Sequence, residues 1–507
     1  MLFLKEKVKL KHNIVEAALK TDKKVVMGIL AIAVFNFVFL GNEYMYDNMM
    51  MYVTDAGGVV TAQNIILGVS VAGFLLFPVI SCLIGKMHNN SQHKYSYVGI
   101  FGMILMLTAG IACIWVMSGH KSYMQIFIAG SILFIIIGVM GSAVHYNFAA
   151  AMKGRSGLTI AAGIAYAGGI VLQFINNNLI KNDIAQTVVL CTGLVLLCIL
   201  YASSRKDCGV DNPEIDNTGR KQEIHYSDTT FAAIMLVITV VLMTCIFSTL
   251  DNAVTVVHAQ WQMDIGQWPR VMLALSGLAA GWLFNIANRR YMNVSMYCIT
   301  LLSVICVIII MLGGPFIIGL IAFYVSAGFF VVYFTGTFVE MSYSVKCPKL
   351  WAGMGRTVNN AAAVLVSYIS LMLMSGNTMV LFIVIIVLLA AISLCMYLFN
   401  GQQYVNNLAA EVTETAITEE ETEYDKLTAF AQMYVFTERE KEVLHVLTSS
   451  EESMSDIASN LCMSRTALYN HIASMNRKTE TKARIGLIQL PYLVLGAIGT
   501  ALQYSQN

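Results

Sequence analysis

The chain has 507 residues, 57% hydrophobic and only 12% charged, with a formal net charge of +1. A soluble protein of this length carries about twice that charged fraction, so the composition excludes an ordinary globular enzyme and points to a membrane. The near-neutral charge says nothing about partners.

Residues 1–24 are basic and lack the apolar core of a signal peptide, so no cleaved targeting segment is expected. Twelve apolar runs follow, at 25–42, 60–84, 97–117, 125–151, 158–179, 185–202, 230–250, 268–287, 292–312, 316–338, 352–374 and 379–399. Each is long enough to cross a hydrocarbon core of about 30 Å. In lipid the backbone must satisfy its own polar groups, so these runs are predicted as helices. With the N-terminus inside, nineteen Lys/Arg up to residue 350 fall on the cytoplasmic side, and only Lys121, Lys181 and Arg270 fall outside. That bias predicts a multi-pass membrane protein with both termini cytoplasmic. Eleven scattered cysteines show no metal or redox spacing. Without a nucleophile–base arrangement or phosphate loop, neither a cofactor nor an enzyme activity is expected.

A polar stretch at 203–229 divides the spans into halves at 25–202 and 230–400. The halves echo one another: Tyr46-Asp47-Asn48 recurs as Leu250-Asp251-Asn252, and Gly154-Arg155 as Gly355-Arg356. Six plus six spans around a long middle loop resemble the major facilitator superfamily. That family's basic signature keeps its frame over Gly281, Asn288, Arg289 and Arg290, with Asn285 where an acid and Ile286 where an arginine are expected. The lost acid and arginine weaken the implied transport activity. Ionisable residues at bilayer depth are costly and hence functional candidates. Asp47, Asp251, His145, Glu340 and Arg356, with the amides Asn36 and Gln173, are the candidate ligand-binding set for a small molecule. No chain of carboxylates suggests a proton relay.

Residues 401–425 hold seven acids and no base, which reads as a solvated linker. From Phe436 the pattern tightens into short amphipathic helices. Thr437 with Glu440 forms a capping box, Ser453 and Ser464 cap two further helices, and Val443, Leu444, Leu447, Ile457, Ala458, Leu461, Leu468, Ile472 and Met475 form the inward faces. A fourth helix is expected over 481–490. Thr437 to Leu444, Asp456-Ile457-Ala458, Ser464 to His471 and Arg477-Lys478 resemble the LuxR/GerE helix-turn-helix. The resemblance implies a four-helix DNA-binding domain over 426–490, with Arg439 and Glu442 in its scaffold. It places Arg465, Thr466, Tyr469, Asn470, His471, Ser474, Arg477 and Lys478 on the DNA face. Tyr469 departs from the lysine usual there. The tail 491–507 is apolar but too short to span.

The expected whole is an all-α polytopic membrane protein with a small C-terminal helical domain. It would be a regulator whose membrane part senses a small molecule and whose tail binds promoter DNA as a homodimer. The alternatives are a major-facilitator-type transporter with a regulatory tail, and a membrane scaffold whose tail binds protein.

Overall fold

The computed structural model describes residues 23–88, 94–119, 122–207, 226–260, 268–289, 291–311, 314–376, 379–380, 382–398, 427–428, 430–449 and 452–491. Most of the basic N-terminus, the middle of the central loop, the acidic linker, Arg290 and nearly all of the 491–507 tail therefore lie outside the described residues. The chain divides into two compact units, Met1–Gln402 and Gln403–Asn507.

In the first unit a helix lies at each of the twelve predicted positions. These are α1 Lys23–Met50, α2 Ala56–His88, α3 Lys94–Met117, α4 Tyr123–Met152, α5 Leu158–Leu179, α6 Asp183–Asp207 and α7 Tyr226–Ala259. Then come α8 Val271–Asn285, α9 Met292–Met311, α10 Phe316–Met341, α11 Met354–Ser375 and α12 Phe382–Leu398. Among the described residues eight of them, α1 to α7 and α10, are long and apolar enough to cross a bilayer. The chain is a multi-pass, all-helical membrane protein.

α11 shows how such a helix is patterned. Leu365, Tyr368, Ile369 and Met372 form an exposed apolar stripe at helical spacing, while Thr357, Asn360, Ser367 and Ser370 are buried. Polar inside and apolar outside inverts the soluble pattern and suits a lipid surround. Packing between spans depends on small residues, which let helix backbones approach closely. At the α5–α8 crossing a Cβ on Gly163 would stand 2.5 Å from the Gly277 carbonyl oxygen. One on Gly281 would stand 2.7 Å from that of Thr159. Thr159 Oγ1 seals this crossing by donating to the Gly281 carbonyl at 3.1 Å.

Two boundaries depart from the sequence reading in an instructive way. Spans predicted to end at 42 and 250 continue as helix to Met50 and Ala259. The acids just past those points, Glu43, Asp47 and Asp251, do not mark the water interface; they turn inwards. The predicted central loop is also shorter, because α6 runs to Asp207 and α7 begins at Tyr226.

The second unit holds α13 Glu438–Ser449, α14 Met454–Asn460 and α15 Arg465–Lys478, with further helical turns at 430–433 and 484–491. Val443, Leu444, Leu447, Ile457, Ala458, Leu468, Ile472 and Met475 are buried together with Phe430, Phe436 and Leu487; Leu461 packs at the edge of this core. Each expected cap is present. Thr437 Oγ1 accepts from the Glu440 N–H at 3.3 Å while Glu440 Oε2 accepts from the Thr437 N–H at 2.7 Å. Ser453 and Ser464 accept from the Asp456 and Ala467 N–H groups.

Candidate functional site

Between the two six-helix halves lies a cavity of about 170 Å³. From the first half α1 contributes Phe39, Glu43 and Asp47, α2 contributes Gln63, and α5 contributes Tyr166. From the second half come Phe247 and Asp251 on α7, Arg270 just before α8, Tyr324, Phe330 and Phe334 on α10, and Arg356, Asn359 and Asn360 on α11. Charged and aromatic side chains from both halves thus face one space.

The charges sit at different depths. Arg356 Nη2 donates to Asn36 Oδ1 at 3.2 Å, and its guanidinium lies 5.2 Å from the Phe39 ring and 5.3 Å from the Phe334 ring. Aromatic faces hold a desolvated cation by electrostatic attraction. The residue is only 7% exposed, and its Nε has no partner among the described residues. Farther along α1, Glu43 accepts from Gln63 Nε2 at 3.1 Å. Asp47 is 4% exposed with Oδ1 unpartnered. The Asp251 level follows from its neighbour: Asn252 Oδ1 accepts from Asn64 at 3.1 Å, and Asn64 adjoins Gln63, the partner of Glu43. Arg270 belongs to this acidic end, with its guanidinium 5.9 Å from the Tyr44 ring. Among the described residues no group of three His, Cys, Asp or Glu side chains forms a metal site.

Three of the seven ligand candidates from the sequence, Asp47, Asp251 and Arg356, share this cavity, and Asn36 stands behind Arg356 as its hydrogen-bond partner. The other three lie elsewhere. His145 donates through Nδ1 to the Gly141 carbonyl at 2.7 Å and packs edge-on against Phe35 and Phe74, a core histidine. Gln173 ties α5 to α1 by donating to the Leu40 carbonyl at 2.7 Å. Glu340, half exposed at the end of α10, forms an ion pair with Arg289. Sequence reasoning missed Glu43, which is not among its candidates, and Arg270, which it takes only as one of the few cations outside. The spacing 36, 39/40, 43, 47 was the available signal, since it places Glu43 on the same helix face as Asn36 and Asp47.

On α15, Arg465, Thr466, Tyr469, Asn470 and Arg477 are exposed and His471 is partly buried. Ser474 is partly buried and Lys478 exposed, and both bond Glu440. Ser474 Oγ and Lys478 Nζ each donate to Glu440 at 2.7 Å, and Lys478 also donates to the Val435 carbonyl at 3.0 Å. Arg439 pairs with Glu442 and reaches the Leu461 carbonyl at 2.7 Å, joining α13 to the end of α14.

No family model matches the chain, the LuxR/GerE family included, and no curated protein matches it. Among solved structures the chain is similar to an auto-inhibited peptide transporter of the POT family. That match has 13% identity, a TM-score of 0.49, and covers 76% of this chain and 97% of the other. It is also similar to the human organic anion transporter MFSD10 (TETRAN), with 14% identity, a TM-score of 0.44, and 76% and 99% coverage. The expectation of a DNA-binding regulator is corrected here: two of the residues expected on DNA, Ser474 and Lys478, bond Glu440 within the unit instead.

Proposed function

We propose that the protein is a major-facilitator-type transporter of small molecules with a helical tail that regulates it. It would sit in the cytoplasmic membrane of a bacterium with both ends of the chain in the cytoplasm, as the Lys/Arg bias favours. One observation carries the reading: a single cavity at the boundary of the two halves, to which each half contributes both aromatic and charged walls. A site shared by two halves is the geometry that rocking one half against the other exposes to each side of a membrane in turn. Buried charges without full pairing are retained at such depth where a ligand or ion supplies the missing interactions.

The test is uptake by the purified full-length protein in proteoliposomes, scanning charged small solutes under an imposed pH or ion gradient. Accumulation that falls at least tenfold with Arg356→Gln or Asp251→Asn supports transport. A protein that binds solutes without moving them, with every gradient tried, would sink it. Removing residues 427–491 should change the rate of uptake and leave the substrate range as it was.

A further inference from the structure

Two buried groups of opposite sign face the cavity with an atom each left over: Arg356 with Nε, and Asp47 with Oδ1. An uncompensated charge at this depth is expensive, because it has given up water without gaining an equal partner. The two groups cannot satisfy one another. Arg356 is held at the level of Asn36 and Phe39, whereas Glu43 and Asp47 stand farther along the same face of α1. At 1.5 Å of rise per residue, the step from the Asn36–Phe39 level to the Glu43–Asp47 level is roughly 10 Å. At the far end three carboxyl groups, from Glu43, Asp47 and Asp251, face one guanidinium, that of Arg270. Between the ends the wall is aromatic: Phe247 and Phe330 stack with ring centroids 4.4 Å apart and planes 8° from parallel.

From this arrangement we infer that the cavity takes an elongated zwitterion. Its anionic group docks on Arg356, its ammonium among Glu43, Asp47 and Asp251, and its apolar stem along Phe247 and Phe330. The inference rests on the transporter reading only in taking this cavity as the substrate site. Asn36 and the rings of Phe39 and Phe334 are the positioning groups, since they hold the guanidinium at the cavity wall. Capping either charge of such a ligand would leave one end of the site with a buried, unpaired ion, which is a strong basis for discrimination.

The experiment is calorimetric titration and thermal-shift measurement on the purified full-length protein in nanodiscs. The probes are straight-chain ω-amino carboxylates of graded length, each with its N-acetyl and methyl-ester derivatives. The expected result is tightest binding where the charges stand roughly 10 Å apart, matching the rise along α1, with a loss of tenfold or more on capping either end. Arg356→Gln should erase the preference for acid over ester and leave the preference for amine over acetyl. Asp47→Asn should do the reverse. Equal binding of capped and uncapped probes, or no saturable binding of any probe at millimolar concentration, would overturn the inference. Should Arg356→Gln fail to fold by gel filtration, the capped series on the unmodified protein and on Arg356→Lys decides. Uptake is scored separately. Zwitterions that bind but are never accumulated sink transport and leave this inference standing. Accumulation of singly charged solutes with no preference for zwitterions does the opposite.

Discussion

Glu440 is 3% exposed and accepts hydrogen bonds at 2.7 Å from Lys478 Nζ, Ser474 Oγ and the Thr437 N–H. Burial alone would raise its carboxyl, but the hydrogen bonds from Lys478, Thr437 and Ser474 outweigh that and hold it down at about 2. Because this lies below the roughly 4.3 of an unfolded glutamate, the stabilisation is complete above that value and disappears as pH falls towards 2. Amide protection across α13, α14 and α15, corrected for intrinsic exchange, should therefore decline over this window in the full-length protein. Glu440→Gln should flatten the pH dependence and cost about 1–3 kcal/mol at neutral pH, the usual penalty for a broken buried hydrogen-bond set. Hydrogen exchange by mass spectrometry reads both, and unchanged protection in the variant would refute them. Half of this arrangement was legible beforehand. The capping box links residues three apart, so Thr437 and Glu440 announce it. Ser474 and Lys478 arrive from 34 and 38 residues away, and without that fold contact their exposed spacing reads as a DNA face.

Short elements carry strain that a substitution can relieve or add. The turn after 430–433 ends at Val435, whose φ is +52°, with the Phe436 N–H donating to the Ala431 carbonyl at 2.9 Å. This is a left-handed helix cap, where a β-branched side chain costs roughly 1–2 kcal/mol. Val435 is 78% exposed, so little packing is lost with its side chain. Val435→Gly should stabilise the C-terminal unit by about 1 kcal/mol, seen as slower exchange of the Phe436 and α13 amides. The converse holds at the α5–α8 crossing. A methyl at Gly281 meets the backbone of Thr159 and Gly163, which cannot swing away as a side-chain tip would. Gly281→Ala should cost about 1–3 kcal/mol, as overpacking does, and lower the thermal midpoint in detergent, while Gly102→Ala, with nothing within 4 Å, should not. All twelve helices of the first unit were legible from apolar runs alone. Their ends were not, because hydropathy reads an acid as the start of water. Glu43, Asp47 and Asp251 line a cavity that exists only once both halves are assembled.

At the scale of the whole membrane unit, the two halves are tied most densely at one end, where α2, α4 and α8 finish and α5 begins. There Thr159 Oγ1 donates to the Gly281 carbonyl at 3.1 Å, Tyr343 OH to the Ala149 carbonyl at 3.1 Å, and Lys349 Nζ to Ser81 Oγ at 2.8 Å. Lys349 also lies 5.7 Å from the Tyr146 ring. On the transporter proposal, rocking the halves has to break this cluster each cycle, so the cluster would set the balance between states. Three hydrogen bonds at about 1 kcal/mol each total about 3 kcal/mol, and 1.4 kcal/mol is tenfold, so their loss shifts the population about a hundredfold. Combining Thr159→Val, Tyr343→Phe and Lys349→Met should therefore open this end. Nitroxides on Ser156→Cys and Ile286→Cys, in a cysteine-free background, flank it on either half. Pulsed electron–electron distance measurements should show the short separation replaced by a longer one in the triple variant. If the variant loses thermal stability while the distance distribution stays put, these bonds serve packing alone. The moving boundary between the halves would then have to be sought at the opposite end, where His258 Nε2 donates to Asn48 Oδ1 at 2.9 Å.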